Sequence, residues 1–360
     1  MNQTSKSPTA VICLSPHVGG MELAATKLAK VLGRFVDVHY IVRKGSFIHE
    51  ECRNNPDYKE VRYYPVSFMK SISPSIIINV RRILKENNIK NVVFVGASEI
   101  KSLYFAFLGL DINLIVRHGT LKSHPKKDWF HRLVYSNVNT HVAISKYMSE
   151  NVRQIVPFGR ETRLKVIVPS LANQPCMNPR EPSETLRILH AGRVTPGKGV
   201  DRAIQACEVL YQNGIEFVFN NYGPMDPKFE HSLEALLKEI PYADRIQING
   251  FTDSIYEKYR EHDIFLFPTP DEGYGNVMME SISHGIIVLA FDNTAISNFG
   301  DMGFHIHLVE DGSMDALKGR LLDIARNLPE ELRLAEENIE KAKVVFAPQR
   351  EAMEYIELLQ

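Results

Sequence analysis

Two glutamates stand eight positions apart in the segment PTPDEGYGNVMME, residues 268–280 of the chain. Carboxylates at this spacing suit three kinds of chemistry: an acid–base pair, a helix cap, or a clamp on the hydroxyls of a diol. Because a strand is predicted up to Pro268 and a helix from Asn276, Glu272 lies in the loop and Glu280 on the helix. In an acid–base pair across a glycosidic bond, the two carboxyl groups are about 5–9 Å apart and face the same atom. Nothing in this segment requires such a geometry. It favours an extended ligand, with a diphosphate over the helix N-terminus and one glutamate on each side.

A second group of chemistry-bearing residues lies in HAGRVTPGKGVDRAI, residues 190–204. The segment follows a predicted strand at 186–190 and leads into a predicted helix that begins at Asp201. It puts Arg193 and Lys198 on either side of a Pro-Gly turn, and two cations at such a turn suit a diphosphate. Solvated charges on the turn are the alternative.

A third candidate is the pair Gly19 and Gly20, which lies between an apolar run at 10–14 and a predicted helix at 21–32. Backbone N–H groups and the positive end of a helix dipole together form a phosphate cradle. Glycine lets the backbone come close to such a ligand. Because the pair lacks G-x-G-x-x-G spacing, a plain turn is an equal alternative.

Short β-rich runs alternate with helical stretches along the chain, and this alternation predicts parallel sheets with helices on both faces. A proline-rich stretch, PSLANQPCMNPREPSE, separates two such series and predicts a linker. We therefore predict an α/β protein with two Rossmann-like domains and with ligands at the carboxyl ends of the strands. Strands are predicted at 10–14, 36–42, 91–95, 114–116, 141–144 and 166–168, and again at 186–190, 217–219, 246–248, 264–267 and 286–290.

The formal net charge of −1 hides opposite charges in the two halves of the chain. Residues 1–170 hold 25 Lys and Arg against 12 Asp and Glu, a charge of +13, and the remainder holds 17 against 31, a charge of −14. A basic half attracts anionic phosphates of a nucleotide, a lipid headgroup or a nucleic acid, unless it mainly complements the acidic half. Nucleic acid is not expected as a partner, because aromatic residues do not interleave with the cations as a stacking platform requires.

The cysteines and the hydropathy pattern bear on the compartment. Cys13, Cys52, Cys176 and Cys207 lack C-x-x-C spacing, so we expect reduced, buried thiols rather than a zinc site or a disulfide framework. The longest apolar run, residues 103–110, is far short of the roughly 20 residues of a membrane span, and no signal-peptide pattern is present. We expect a cytoplasmic protein, and contact with the inner face of the membrane stays open.

The segment EGYGNVMME resembles the E-x7-E motif of the family-4 retaining glycosyltransferases, which have the GT-B fold. Other landmarks resemble that family in order and spacing. HAGRVTPGKGVDRAIQA is similar to its G-R-x-x-x-x-K-G donor loop, NYGP at 221–224 to its G-x-G-P turn, and INGF at 248–251 to its G-F segment beside the nucleobase. The resemblance covers residues 186–290, and more weakly Gly19–Glu22, the closing helix FAPQREAMEYIELL and His118.

The resemblance implies a role for each matching residue. Arg193 and Lys198 would bind the donor diphosphate, Glu280 the ribose hydroxyls and Glu272 the hydroxyls of the transferred sugar. His118 would line the reacting face of that sugar, and with Glu272, Arg193 and Lys198 it makes up the implied catalytic set. The other implied donor-binding residues are Gly19, Gly20, Gly223, Gly250, Phe251, Gly273, Tyr274, Gly275, Asn276 and Val277.

The resemblance also implies how the reaction proceeds and how the domains divide the work. In such enzymes the leaving phosphate takes the proton of the acceptor, which attacks from the same face, so no protein nucleophile is required. The two domains would face a cleft, with acceptor binding at 1–168, a linker at 169–184, donor binding at 185–342, and a C-terminal helix at 343–360 packing back toward the first domain. No D-x-D sequence is present, so neither a metal nor any cofactor besides the nucleotide-sugar co-substrate is expected.

Two segments depart from the pattern of the family. After Gly285 the family usually has a G-G-x-P-E stretch, whereas this chain reads FDNTAISNFGDMGFHIH. Asn220 and Asn221 stand in the first turn where glycine and an acidic residue are common. The contacts of these two segments with the donor and its base therefore stay open.

We accordingly predict a retaining glycosyltransferase, a hexosyltransferase, that uses a nucleotide-diphosphate sugar, with UDP as the first choice of nucleotide. The expected acceptor is a saccharide or a lipid-linked saccharide in the biosynthesis of a bacterial surface glycan, lipopolysaccharide or capsule. A nucleotide-sugar epimerase of the same fold and a non-catalytic nucleotide-sugar-binding subunit are the alternatives. Neither the sugar nor the base can be read from the sequence, because a few hydrogen bonds in variable loops decide both.

A further hypothesis concerns the basic half, where cations accompany aromatic residues. Part of this surface would rest on the anionic inner leaflet of a membrane and present the site to a lipid-linked acceptor. A solvated surface without a partner is the alternative. The residues of the hypothesis are Arg81, Arg82, Lys85, Lys122, Lys126 and Lys127, together with Phe105, Phe107, Trp129 and Phe130.

Overall fold

A computed structural model describes residues 8–17, 19–171, 180 and 183–359 of the chain. The chain divides into two compact units. Unit 1 comprises Met1–Ala172 and Pro348–Gln360, and unit 2 comprises Asn173–Ala347. Most of the predicted linker, including Cys176, lies outside the described residues.

Unit 1 is built on a seven-stranded parallel sheet with the strand order β3-β2-β1-β4-β5-β6-β7. Every residue of the first and fourth strands is buried, as expected for strands covered on both faces by helices. The strands are β1 (Thr9–Cys13), β2 (Val38–Arg43), β3 (Arg62–Val66), β4 (Asn91–Val95), β5 (Asn113–His118), β6 (Val138–Ala143) and β7 (Arg163–Val166). The helices are α1 (Gly20–Leu32), α2 (Phe47–Asn54), α3 (Pro74–Glu86), α4 (Ile100–Phe107), α5 (Trp129–Tyr135) and α6 (Lys146–Ile155).

Unit 2 is built on a six-stranded parallel sheet with the strand order β10-β9-β8-β11-β12-β13. Its apolar core lies between this sheet and the helices around it. The strands are β8 (Leu186–Ala191), β9 (Phe217–Tyr222), β10 (Ile246–Ile248), β11 (Ile264–Phe267), β12 (Ile287–Asp292) and β13 (His307–Glu310). The helices are α7 (Val200–Ala206), α8 (Glu208–Gln212), α9 (Pro227–Glu239), α10 (Ile255–Glu261), α11 (Asn276–Ser283), α12 (Ser297–Asp301), α13 (Met314–Arg326) and α14 (Leu328–Val345).

The last helix, α15 (Pro348–Ile356), belongs to unit 1, as the predicted fold class requires. Its buried Glu351 accepts hydrogen bonds from the backbone N–H of Ser170 at 2.8 Å and from the Ser170 hydroxyl at 2.5 Å. Lys27 of α1 lies 3.5 Å from the same carboxylate. A buried ion pair therefore joins the end of the chain to its first helix.

The eleven predicted strands all overlap observed strands, whereas β3 and β13 were not predicted. Both are edge strands, and β3 (RYYPV) and β13 (HLVE) lack the apolar runs that mark the central strands. Pro65 is tolerated in β3 because an edge strand does not need every N–H group for pairing. The edge strands β7 and β10 were predicted, so the two misses follow from the composition of β3 and β13 and not from edge position alone.

The described cysteines are free and buried, as predicted for Cys13, Cys52 and Cys207. Burial raises the pKa of the Cys13 and Cys52 thiols to about 12, so both stay protonated and unreactive at neutral pH. None of the helices in the described ranges has the length and hydropathy of a membrane span.

Candidate functional site

The strand order of unit 2 changes direction between β8 and β11. Strands β9 and β10 continue on one side of this point, and β12 and β13 on the other. In open parallel sheets, ligands bind at such a switch point, outside the carboxyl ends of the strands. The loop after β8 carries Arg193 and Lys198, and the loop after β11 carries Glu272. The structure therefore places three sequence candidates in the two loops that flank the switch point.

These two loops are in direct contact at Gly199. Its φ is +74°, and a Cβ atom at this position would lie 2.2 Å from the carbonyl oxygen of Pro268. Only glycine allows both this left-handed backbone and this close approach. The Thr269 hydroxyl also donates a hydrogen bond to the carbonyl of Gly197 at 3.4 Å. The backbone thereby fixes the position of Lys198 relative to the second loop.

Lys198 and Glu272 form an ion pair at the switch point. The Lys198 ammonium donates to a carboxylate oxygen of Glu272 at 2.8 Å, and the two side chains are 26% and 19% exposed. A partly exposed pair of this kind is weak, so an incoming anion competes readily with the carboxylate for the ammonium. The pair can hold a sugar hydroxyl through Glu272 and a phosphate through Lys198. Arg193 is exposed, and its side chain has no hydrogen-bond or ion-pair partner among the described residues.

The loop after β11 ends at Gly275, the N-cap of α11, with a φ of +84°. A Cβ atom at Gly275 would lie 3.1 Å from Ile296 Cδ1, so the site requires glycine on conformational and steric grounds. The first turn of α11 leaves the N–H groups of Asn276 and Val277 without intrahelical acceptors. These N–H groups can meet a phosphate or a sugar hydroxyl at the positive end of the helix.

The other two predicted donor-binding residues of this loop, Tyr274 and Gly273, differ in their surroundings. The ring of Tyr274 is buried, and its centroid lies 5.5 Å from that of Phe299. The ring of Tyr274 therefore packs inside unit 2. Gly273 has open space where a Cβ atom would stand.

Glu280 lies on α11, one helical turn beyond Val277, and its carboxylate accepts a hydrogen bond from the Tyr259 hydroxyl at 3.1 Å. Burial raises the pKa of Glu280 to about 7, although the bond from Tyr259 acts in the opposite direction. A half-buried carboxylate with a single hydroxyl donor still has capacity to accept further hydrogen bonds. A vicinal diol would supply two donors of the required kind.

Sequence reasoning did not assign a role to His190, the second-to-last residue of β8. It stands just before the loop that carries Arg193 and Lys198, here called the cationic loop. The side chain is fully buried, accepts from Asn221 Nδ2 at its Nδ1 atom (2.9 Å), and donates from Nε2 to the Lys198 carbonyl at 3.0 Å. Burial lowers the pKa of His190 to about 4, so the ring is neutral and keeps this tautomer. His190 and Asn221 therefore support the backbone of Lys198 from beneath. No sequence pattern marks the His190–Asn221 contact, because the two residues are 31 positions apart and lie on different strands.

The segment after β12 that departs from the family pattern supports the Glu272 loop. Asn293 donates to the Thr269 carbonyl at 3.0 Å and to Asp311 at 2.6 Å. The hydroxyl of Thr294, whose φ is +46°, accepts from the Glu272 N–H at 3.3 Å. These side chains were also missed, since their contacts depend on the register of two separate loops.

The turns after β9 and β10 pack against the cationic loop through glycines. A Cβ atom at Gly223 would lie 1.9 Å from the Gly192 carbonyl oxygen, and the Gly223 N–H donates to the Gly250 carbonyl at 2.8 Å. The side chain of Phe251 is 74% exposed at the end of this row. The predicted donor-binding residues of unit 2 thus lie on adjacent loops along one edge of the sheet.

The remaining candidates, Gly19, Gly20 and His118, belong to unit 1. Gly19 is the N-cap of α1 in an extended conformation, without a side-chain cap, and Gly20 is the first residue of the helix. A Cβ atom at Gly19 would lie 3.1 Å from a carboxylate oxygen of Glu22. A phosphate at this helix terminus would lie beside the Glu22 carboxylate. The donor-binding role of Gly19 and Gly20 therefore stays a prediction.

His118 ends β5 and is buried, with both ring nitrogens bonded inside unit 1. Its Nδ1 accepts from the Lys122 ammonium at 3.0 Å, and its Nε2 donates to His141 Nδ1 at 2.9 Å. Burial, with Lys122 and His141 nearby, holds the pKa of His118 well below its usual value. Lys122, His118 and His141 are thus linked by consecutive hydrogen bonds, which the sequence did not reveal. The contact of His118 with the sugar stays a prediction.

Residues 185–327 match the family model described as glycosyl transferases group 1. The amylovoran biosynthesis glycosyltransferase AmsK of Erwinia amylovora is 28% identical over 153 residues, which are 40% of this chain and 37% of that protein. N-acetylgalactosamine-N,N'-diacetylbacillosaminyl-diphospho-undecaprenol 4-alpha-N-acetylgalactosaminyltransferase of Campylobacter jejuni is 28% identical over 134 residues, which are 37% and 35% of the two chains. The matched segments thus span little more than a third of these relatives.

Solved structures resemble the chain over nearly its whole length. A glycosyltransferase from Rickettsia africae has a TM-score of 0.81 at 17% identity and covers 98% of this chain and 97% of its own. Anabaena HepE in complex with UDP has a TM-score of 0.78 at 16% identity, with 98% and 100% covered. The lipopolysaccharide outer core galactosyltransferase WaaB has a TM-score of 0.72 at 16% identity, with 97% and 99% covered.

Two Rossmann-like parallel-sheet domains with these structural neighbours define the GT-B fold, which confirms the predicted fold class. The group 1 glycosyl transferase model matches residues 185–327, the part of the chain for which the sequence predicted donor binding. Every unit 2 candidate from Arg193 to Glu280 lies inside this matched segment.

Proposed function

We propose that the protein is a retaining glycosyltransferase that transfers a sugar from a UDP-sugar to a saccharide or lipid-linked saccharide acceptor in the biosynthesis of a bacterial surface glycan. The observation that carries the proposal is the Lys198–Glu272 ion pair at the switch point of unit 2. One charge of the pair suits the diphosphate of a donor, and the other suits the hydroxyls of its sugar. Glu280 lies further along α11 and is free to bind the ribose diol.

The proposed reaction breaks the bond between the anomeric carbon and the diphosphate and forms a bond from that carbon to the acceptor oxygen on the same face. The acceptor proton passes to the leaving diphosphate, so proton and charge balance without a protein nucleophile. Negative charge grows on the leaving group as the bond breaks, and Lys198 and Arg193 stabilise that charge more in the transition state than before it. Glu272 keeps the sugar oriented while its partner Lys198 turns to the diphosphate.

The choice of donor and acceptor is supported by what related proteins are named for. UDP is named in the HepE complex, and UDP-N-acetylglucosamine in the GtfA subunit of Streptococcus gordonii, which is 24% identical over 173 residues. AmsK acts in amylovoran biosynthesis, and the name of the Campylobacter jejuni relative includes a diphospho-undecaprenol acceptor. These names support UDP and a lipid-linked or polymeric saccharide as the first substrates to test.

The deciding experiment incubates the full chain with UDP-, GDP- or ADP-sugars, with and without an undecaprenyl-diphosphate-linked saccharide. We expect release of UDP only when the acceptor is present, and a product whose anomeric configuration, read by NMR, equals that of the donor. A changed sugar without an acceptor would identify an epimerase. A thermal shift with nucleotide but no turnover with any acceptor would identify a binding subunit, and an inverted product would contradict retention.

We also propose that the protein is cytoplasmic and that the basic surface of unit 1 around α5 contacts the anionic inner leaflet. Trp129 on α5 is 76% exposed, and Lys127 beside it is exposed as well. Lys122 is a poorer candidate than the sequence indicated, because its ammonium is bonded to His118 and burial lowers its pKa to about 8. An aromatic ring among surface cations suits a headgroup layer, and each cation near it contributes about 1 kcal/mol.

Co-sedimentation with liposomes tests this contact. We expect the protein to bind anionic vesicles at low salt and to dissociate from them as salt is added. It should not bind neutral vesicles. Lys127→Glu with Trp129→Ala should abolish binding, whereas Lys59→Glu, an equal charge reversal at an exposed lysine of unit 1, should reduce it only slightly. Equal binding to neutral and anionic vesicles, or an equal loss with Lys59→Glu, would contradict the assignment.

A further inference from the structure

Two histidines and a glutamate of unit 2 converge outside the proposed donor site. His305 and His307 stand two positions apart around the start of β13, and in extended backbone such residues project to the same face. Glu331 lies in the first turn of α14. The Nε2 atoms of His305 and His307 lie 3.0 Å and 2.8 Å from one oxygen of Glu331. All three atoms lie within 4.8 Å of one another.

The distances between these three atoms are close to the distances between ligand atoms around a tetrahedral metal ion. A tetrahedral Zn²⁺ ion bonds nitrogen and oxygen at about 2.0–2.2 Å, which puts its ligand atoms about 3.2–3.6 Å apart. The two distances from the histidine Nε2 atoms to the Glu331 oxygen are a few tenths of an ångström shorter than this. Small side-chain rotations would therefore make room for an ion. Each neutral imidazole would move its proton from Nε2 to Nδ1, and the carboxylate is the usual anionic partner of such a pair.

The backbone around the cluster is already fixed. The His305 N–H donates to Asn338 Oδ1 at 2.8 Å, and Asn338 Nδ2 donates to the His305 carbonyl at 2.8 Å. His307 is held by its pairing with Leu289 of β12. Asn338 lies on α14, seven residues after Glu331, so a single helix supplies one ligand and braces another. Holding ligands in this way lowers the entropic cost of binding an ion.

The cluster is open enough to exchange an ion with solvent. The side chains of His305, Glu331 and His307 are 37%, 18% and 10% exposed. An entry path therefore exists, and a water molecule can complete a tetrahedron, as in sites with three protein ligands. The neighbouring carboxylate of Glu330 is paired with Arg333 at 2.8 Å and does not compete for the ion.

We propose that His305, His307 and Glu331 form a site for one divalent transition-metal ion, with Zn²⁺ as the ion that fits the ligands best. Two imidazoles and one carboxylate suit Zn²⁺, whereas Mg²⁺ and Ca²⁺ prefer oxygen ligands alone. His307 pairs with the middle of β12, so the cluster precedes the carboxyl ends of the strands, where the donor-site loops lie. The ion therefore cross-links the edge strand β13 to α14 and takes no part in sugar transfer. This role is independent of the proposed function.

The test is a titration of the full chain with Zn²⁺ after treatment with a chelator and dialysis. We expect one equivalent to bind with a dissociation constant in the micromolar range or below and to raise the Tm. Co²⁺ bound in its place should give the visible absorption of a tetrahedral ion. His305→Gln, at the most exposed ligand, and Glu331→Gln should each weaken binding at least tenfold. His231→Gln, at an exposed histidine of α9, should change nothing.

Two outcomes would overturn the proposal. One is the absence of a one-equivalent binding event in the parent chain. The other is unchanged affinity in His305→Gln, whatever His231→Gln does, because one of the proposed ligands would then not bind the ion. Because Glu331→Gln disturbs the anchor of β13, circular dichroism is recorded for each variant, and His305→Gln decides the outcome if Glu331→Gln does not fold.

Discussion

Two charged side chains of the proposed donor site, Lys198 and Glu272, bind each other before any ligand arrives. Lys198 is bonded to Glu272, and the backbone of Lys198 is held by His190. The ammonium can therefore leave Glu272 for a diphosphate without a movement of the loop. Glu280 stands apart from this pair, with Tyr259 as its hydroxyl donor. The two glutamates of the E-x7-E segment thus have different surroundings, and their substitution should have different effects.

We expect Lys198→Ala and Glu280→Ala to separate the chemical step from donor binding. Lys198→Ala should lower kcat about 100-fold, because the lost cation meets charge that grows on the leaving diphosphate. Glu280→Ala should raise the donor KM about tenfold with kcat retained, because a bond to the ribose acts equally in both states. Steady-state kinetics on both variants is the measurement, with Lys238→Ala, at an exposed lysine of α9, as the control. Unchanged constants in both variants would contradict the site.

The raised pKa of Glu280 predicts that donor binding depends on pH. A ribose diol donates to the ionised carboxylate, whose pKa is about 7 in the free protein, so binding below pH 7 must first remove a proton. The affinity for a UDP-sugar should fall about tenfold per pH unit below 7 and level off above it. Calorimetry between pH 5.5 and 8 measures this. Glu280→Gln should bind the UDP-sugar more weakly, and its affinity should not depend on pH in this range. A pH dependence that persists in Glu280→Gln would show that another group takes up the proton.

The same shift has the opposite effect on the unliganded fold. The native state keeps a proton on Glu280 up to about pH 7, whereas the unfolded chain releases it near 4.5, so stability falls as the pH rises between these values. A shift of this size corresponds to about 3 kcal/mol, spread over that window. Glu280→Gln should remove the fall. Urea unfolding at pH 5 and pH 8 checks it, and an equal decline in both proteins would show that other groups titrate.

At the scale of the elements, glycines decide how close the loops of unit 2 come. Gly199 contacts Pro268, and Gly223 contacts Gly192, at distances that exclude a Cβ atom. These contacts bring three loops from separate strands into one row. The glycines therefore help to position the charged side chains through the backbone.

Gly199→Ala should accordingly damage the site through the backbone. The methyl group would stand 2.2 Å from the Pro268 carbonyl oxygen in a left-handed conformation that alanine disfavours. We expect a loss of about 1–3 kcal/mol in the free energy of unfolding and a raised donor KM, measured by urea unfolding and kinetics. Gly197→Ala, two residues earlier, has open space for its methyl group and should change neither quantity measurably. Equal effects in both variants would mean that the close approach is not the cause.

Much of the site could be predicted because its chemistry lies in local patterns. Arg193, Lys198 and Glu272 follow buried strands directly, so strand order alone brings them to one edge of the sheet. His190 and Asn293 could not be predicted in the same way. Their roles depend on neighbours from other strands, and nothing within a few residues marks them. The edge strands β3 (RYYPV) and β13 (HLVE) were missed because neither contains the short apolar run by which the other strands were predicted.

At the scale of the whole molecule, the C-terminal helix α15 is held in unit 1 by charge as well as by packing. Lys27 and Arg117 keep the pKa of Glu351 below its usual value, although burial alone would raise it. The carboxylate also accepts both bonds from Ser170. Neutralising it would leave the buried Lys27 ammonium without its anionic partner.

Glu351→Gln should therefore destabilise unit 1 strongly. Removing one member of a buried ion pair costs about 3–5 kcal/mol, because the other charge stays buried. Glu357→Gln, just beyond α15, removes a mostly exposed carboxylate from Lys165 and should cost less than about 1 kcal/mol. Thermal unfolding of the two variants is the measurement. A similar small change in both would show that the buried pair is not an anchor.

The return of α15 to unit 1 also sets the order in which the newly made chain can be completed. Unit 2 is one continuous stretch, Asn173–Ala347, and all of its strands have left the ribosome before α15 is synthesised. Unit 1 begins first but must wait for residues 348–360, with Lys27 and Ser170 lacking Glu351 until then. Unit 1 can therefore be completed only after the whole of unit 2 has been translated.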